Sequence, residues 1–134
     1  MSDIADRISK QLEPLLSSTD PRKVISAYHD MPYLIFRYDP EAEYELRKQV
    51  TLLETRLQQK GKCVHRISLA ECLDEAMRSE RSLPEWFEAE REQGTDTIID
   101  TIHSVLAEYS PLVELVAARL PEVGDPLCDI AFIL

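Results

Sequence analysis

The stretch Tyr33-Leu34-Ile35-Phe36-Arg37-Tyr38-Asp39-Pro40, then a segment stopped by Gly61, then Cys63-Val64-His65-Arg66-Ile67-Ser68-Leu69, decides the fold read from this chain. Tyr33–Tyr38 is aromatic and aliphatic with little polarity, the composition of a strand. A near-continuous apolar run is the pattern of a strand covered on both faces, as in parallel sheets. Asp39 then reads as a helix N-cap and Pro40 as the first helical residue. Leu46, Val50, Leu53 and Leu57 recur at helical spacing and form one buried stripe. Glu43 and Arg47, four residues apart, are placed to pair on the solvent face. Gly61 supplies the left-handed residue that ends a helix. Cys63–Ser68 is the second strand, so residues 33–68 spell one β-α-β unit.

Working outward, Ile4, Ile8, Leu12 and Leu15 predict an N-terminal amphipathic helix, which Pro14 ends or kinks. Asp20-Pro21 starts a short helix through Tyr28, so residues 1–30 form an N-terminal helical region. After the second strand, Ser68 and Glu71 form a capping box. Leu69, Cys72, Leu73, Ala76 and Met77 line the inner face of the helix that follows. Ser82 starts another helix carrying Trp86 and Phe87, which Gly94 stops. Ile98, Ile99, Ile102, Val105 and Leu106 line the next helix, and Ser110-Pro111 begins the last. Residues 69–121 thus read as a helical insertion. Cys128–Leu134 is a third strand-like run.

The fold predicted is α/β: a small, three-stranded, mainly parallel sheet with the helical insertion between strands two and three. All of it lies in one domain spanning residues 1–134, as in an incomplete Rossmann- or RecA-like layer. A strand that ends at Leu134 is expected to have a neighbour, either in a continuation of the domain or in a partner.

Composition narrows the function classes. The net charge of −10 argues against a chain that grips nucleic acid or anionic membrane by itself, because phosphate neutralisation supplies most of such affinity. No apolar stretch approaches the roughly 20 residues that span a bilayer. Three widely spaced cysteines without a CxxC pair read as reduced thiols, which points to the cytoplasm.

Chemistry is harder to find. The strand-to-helix turn at Tyr38-Asp39-Pro40 is where phosphate loops sit in α/β folds, but none of the three glycines lies there. Cys63 and His65 alternate onto one face of their strand. His29, His103 and Cys128 are distant in sequence, and zinc ligands usually come in close pairs. The reading is therefore a buried thiol and a satisfied histidine, with no metal and no cofactor. Arg37, a charge within an apolar strand, calls for an ion pair with Asp39 or Glu43, or a ligand at the sheet edge. Trp86 and Phe87 are either core or interface anchors.

Several patterns together resemble the BrxB family of bacterial BREX phage-exclusion systems. They are Arg37-Tyr38-Asp39-Pro40-Glu41, Glu45-Leu46-Arg47, Leu53-Glu54-Thr55-Arg56-Leu57, Gly61-Lys62-Cys63-Val64-His65-Arg66-Ile67-Ser68-Leu69-Ala70-Glu71, Glu88–Gly94 and Asp129–Leu134. The resemblance covers nearly the whole chain. Family members run on past the last strand-like run, so the chain is similar to an N-terminal portion. The resemblance implies a cytoplasmic, non-catalytic adaptor in anti-phage defence, beside a methyltransferase, a large ATPase and the PglZ protein. A PglZ-family protein is the partner implied first and the ATPase second, with no direct nucleic acid and no membrane. Arg37, Tyr38, Asp39, Pro40, Arg47, Arg56 and Gly61 are the motif positions carried over, in structural or interface roles. The alternative is a degenerate nucleotide- or metal-binding enzyme subunit with its site near the Arg37–Asp39 turn.

Overall fold

The computed structural model describes residues 3–29 and 31–134, with the backbone alone at 27–29. Asp30, which closes the expected N-terminal helical region, and the side chain of His29 lie outside the described residues. Asp3–Arg7 (α1) runs through a π-helical turn at Ile8–Leu12 into Glu13–Leu16 (α2), and Pro21–His29 (α3) follows. A 3-10 turn at Pro40–Ala42 opens Glu43–Gln59 (α4), and Cys63–Ile67 is β1. Then come Leu69–Glu80 (α5), Leu83–Gln93 (α6), Thr95–Ser104 (α7), a π turn at Val105–Tyr109, Leu112–Ala117 (α8) and Asp129–Ile133 (β2).

Prolines shape both π turns. Pro14 has no N–H to give, and in an α-helix its ring would meet the carbonyl four residues back. The chain does not stop there. It widens, and the Glu13 N–H reaches back five residues to the Ile8 carbonyl. The same slip precedes Pro111, where the Ser110 N–H donates to the Val105 carbonyl at 2.8 Å.

The predicted helix signals act as such. The Lys23 N–H donates to Asp20 Oδ1 at 3.1 Å, and the Glu71 N–H to Ser68 Oγ at 3.2 Å. Ser82 Oγ accepts from the Glu85 N–H at 3.4 Å. Gly61 and Gly94 stand at φ of 85° and 89°, which a β-carbon would strain. Asp39 differs from expectation. It holds the extended capping conformation, but its side chain caps nothing, and its carbonyl accepts from the Ala42 N–H at 2.8 Å instead.

The α/β, three-stranded prediction does not hold. The protein is mostly helical, and among the described residues its one sheet has two parallel strands, β1 and β2. Tyr33–Tyr38 is extended but enters no ladder, so the β-α-β unit over 33–68 lacks its first strand. Leu34 and Phe36 are half-buried, whereas Tyr33, Ile35 and Arg37 are exposed, Ile35 at 82%. The run therefore has one covered face, not two. Its backbone is held by a side chain rather than a strand: Arg7 Nη2 donates to the Arg37 carbonyl at 2.7 Å. The same guanidinium lies 4.4 Å from the centre of the Phe36 ring. The helices α5–α8 thus connect the first and second strands of a two-stranded sheet, rather than strands two and three.

Two compact units make up the chain. The first comprises residues up to His65 and Gly124–Ala131. Its core is Ile4, Ile8, Leu16, Ile25, Leu46, Val50, Leu53, Leu57 and Ile130, so all four residues of the predicted α4 stripe are buried. Glu13 on α2 ties to α4 through Arg56 Nε at 2.9 Å and to Lys60 Nζ at 3.5 Å.

The second unit comprises Arg66–Val123 and Phe132–Leu134. Ala76, Trp86, Ala89, Ile98 and Val105 form its centre, with Met77, Ile102, Leu106 and Leu115 against them. Trp86 Nε1 donates to the Met77 carbonyl at 2.8 Å, the partner that a buried indole N–H requires. The buried stripes are narrower than predicted, since Leu69, Leu73 and Ile99 are exposed.

Candidate functional site

Two places concentrate side chains that structure alone does not use up. The first is the Tyr33–Tyr38 segment and the start of α4. Among the described residues no backbone–backbone hydrogen bond involves this segment. Its outer row is Tyr33, Ile35 and Arg37, and Met31 just before it is also exposed. An extended segment that turns exposed apolar side chains outward and pairs with no strand is a template onto which another chain's strand adds.

The motif residues divide between this place and elsewhere. Arg37 is exposed, and the predicted pairing with Glu43 is taken by others: Glu43 accepts from the Tyr38 hydroxyl and from Arg47 Nε at 2.7 Å. The hydrogen bond from Tyr38, then that from Arg47, lowers the Glu43 pKa below its ordinary value. The same carboxylate raises the pKa of Tyr38 and of Arg47. Tyr38 and Asp39, with Asp3, Ile4, Arg7, Ala42 and Glu45, line a shallow hollow of about 250 Å³. Three carboxylates and one guanidinium there disfavour phosphate. Pro40 opens the 3-10 turn, Arg56 is joined to Glu13, and Gly61 ends α4. Trp86 is 2% exposed and belongs to a core, whereas Phe87 is 60% exposed and remains available as an anchor.

The second place was not legible in the sequence. Parallel pairing sets Cys63 beside Cys128, with the Cys63 N–H donating to the Cys128 carbonyl at 2.9 Å. Their sulfurs are 3.0 Å apart, and Cys128 Sγ is 3.5 Å from the Gly61 carbonyl oxygen. Cys63 is exposed, not buried as predicted, and Cys72 is the buried thiol. Next to the pair, His65 Nε2 is 2.8 Å from Asp129 Oδ1, and the Asp125 N–H donates to Asp129 Oδ2 at 2.7 Å. The Asp125 N–H, then His65, holds the Asp129 carboxyl below its usual range. The Cys63 thiol is raised, first by its contact with Cys128. The alternation of Cys63 and His65 along β1 was half of the signal. The other half, Cys128-Asp129, needs the strand register to be seen.

No helix among the described residues is long and apolar enough to cross a membrane. No family model, curated protein or solved structure matches this chain.

Proposed function

We propose that this chain is a non-catalytic adaptor of a bacterial BREX defence system, one that docks a PglZ-family protein in the cytoplasm. The observation that carries the reading is the extended Tyr33–Tyr38 segment, which exposes Tyr33 and Ile35 on its outer row. Among the described residues it makes no backbone–backbone hydrogen bond, its Arg37 carbonyl being held by the Arg7 side chain. The resemblance to the BrxB family supplies the partner, and its Arg37-Tyr38-Asp39-Pro40 pattern falls on this same segment. The net charge of −10 fits a protein partner better than nucleic acid. The acid-lined hollow at the Arg37–Asp39 turn gives a nucleotide-binding subunit little support.

Co-expression with the PglZ-family protein of the same operon, followed by size-exclusion chromatography with mass determination, tests this. Co-elution at fixed stoichiometry is expected. Ile35→Asp should abolish it while leaving the circular dichroism unchanged, because Ile35 is exposed. Separate elution of the two wild-type proteins, or a complex indifferent to Ile35→Asp and Tyr33→Ser, contradicts the reading.

A further inference from the structure

We propose that Cys63, Cys128 and Asp129 bind a zinc ion at the leading end of the two-stranded sheet. One ligand atom from each of these residues lies within 4.8 Å of the others, and no other such trio of Cys, His, Asp or Glu exists among the described residues. Two sulfurs and a carboxylate oxygen suit a borderline-soft divalent ion that prefers four-fold coordination. Sulfurs each about 2.3 Å from zinc stand roughly 3.7 Å apart at the tetrahedral angle. From 3.0 Å they need to part by only a fraction of an ångström, within reach of a small side-chain rotation at the exposed Cys63.

The site is built rather than incidental. Cys128 and Asp129 are presented by a turn whose N–H groups are gathered on Asp125. The Asp125 carbonyl accepts from the N–H groups of Cys128 at 3.0 Å and Asp129 at 2.7 Å. Its carboxylate accepts from the Leu127 N–H at 2.9 Å. His65 and the Asp125 N–H fix the Asp129 carboxylate, and each of its oxygens keeps a further lone pair for a metal. His65 is thus a positioning residue, the outer-shell partner that ligating carboxylates commonly have. The neighbouring Lys62 ammonium is occupied by the Ser18 and Leu127 carbonyls, at 2.8 and 2.7 Å. Water completes the fourth position on the exposed side.

Binding forms two zinc–sulfur bonds and one zinc–oxygen bond to the Asp129 carboxylate, displaces water from the hydrated ion, and releases the two thiol protons to solvent. No electrons are transferred and no oxidant is consumed. The ion clips together residues 65 apart in sequence, a long loop whose closure is otherwise costly in entropy.

Cobalt(II) is the probe, added to the reduced full chain and followed by absorbance, with zinc as competitor. The expected result is one cobalt per chain, a thiolate-to-cobalt charge-transfer band with tetrahedral d–d bands, and displacement by equimolar zinc. The charge-transfer band should halve in Cys63→Ser and in Cys128→Ser, and persist in Cys72→Ala. His65→Gln should keep the band but weaken affinity about 10- to 100-fold. Circular dichroism on each variant separates ligand loss from unfolding. Absence of the band while both thiols react with a thiol reagent overturns the proposal. So does a Cys63–Cys128 disulfide that, once reduced, leaves a chain without metal affinity.

Discussion

Tyr33–Tyr38 and Cys63–Ile67 are two short extended segments of one chain, and the one that looks more like a strand is the one that is not. Tyr33–Tyr38 is the more apolar and aromatic. Cys63–Ile67 carries a histidine and an arginine, yet it pairs with Asp129–Ile133. The difference is in partners. β1 is met by a second extended run in register: Cys63 bonds the Cys128 carbonyl, and the Leu134 N–H donates to the Ile67 carbonyl at 2.9 Å. Tyr33–Tyr38 is met by a helix side chain, Arg7, which covers Phe36 and occupies one carbonyl. Strand propensity describes a surface that fits a sheet. It does not supply the neighbouring strand.

The largest expected effect sets the two segments against each other with the same substitution. Ile67 in β1 is 1% exposed and Ile35 is 82% exposed. Ile67→Ala should cost about 2–5 kcal/mol in urea unfolding, and Ile35→Ala no more than about 0.5 kcal/mol. Equal costs would mean that Tyr33–Tyr38 is packed in the free chain and would break the comparison.

Gly61→Ala should cost about 1–2 kcal/mol. The φ of 85° strains any β-carbon there, although beyond its chain neighbours nothing would lie within 4 Å of it. Urea denaturation measures this, and the lead-in to β1 should be where protection is lost.

Arg7→Met should cost about 1 kcal/mol, through the lost hydrogen bond and ring contact. Its distinguishing sign is local. Limited proteolysis should quicken around Phe36 and Arg37, while hydrogen exchange stays unchanged in β1.

The smallest effect is in pH. Asp129 and Glu43 both have folded pKa values below their ordinary ones. Their contributions are therefore fully present above roughly pH 4–5, where the unfolded carboxyls are ionised, and are lost as pH falls through the folded values. The stability gap between wild type and Asp129→Asn should shrink from pH 7 to pH 3 in urea titrations, and likewise for Glu43→Gln. A gap that stays constant over that range contradicts the assigned hydrogen bonds.

Helices were legible because their signals are local. Asp20, Ser68 and Ser82 each sit three residues before the N–H they satisfy, and Gly61 and Gly94 sit at the stops. The α4 stripe is read from one turn to the next. Sheet membership was not legible, because a ladder joins residues 65 apart and nothing within Tyr33–Tyr38 reports whether such a partner exists. The thiol pair was hidden for the same reason. Cys63 and Cys128 become neighbours only through the register of β1 on β2. Glu43 was placed correctly against Arg47, four residues on. Of the partners expected for Arg37, Glu43 is taken by Tyr38 and Arg47, and the guanidinium is exposed.

Tyr33–Tyr38 is proposed as the docking edge for a PglZ-family protein. Hydrogen exchange of this chain alone and in mixture with the PglZ-family protein tests it most directly. Fast exchange over residues 33–38 in the free chain, strong protection there in the complex, and protection of 63–67 in both are expected. Protection that appears only elsewhere in the complex, or that already covers residues 33–38 in the free chain, contradicts it.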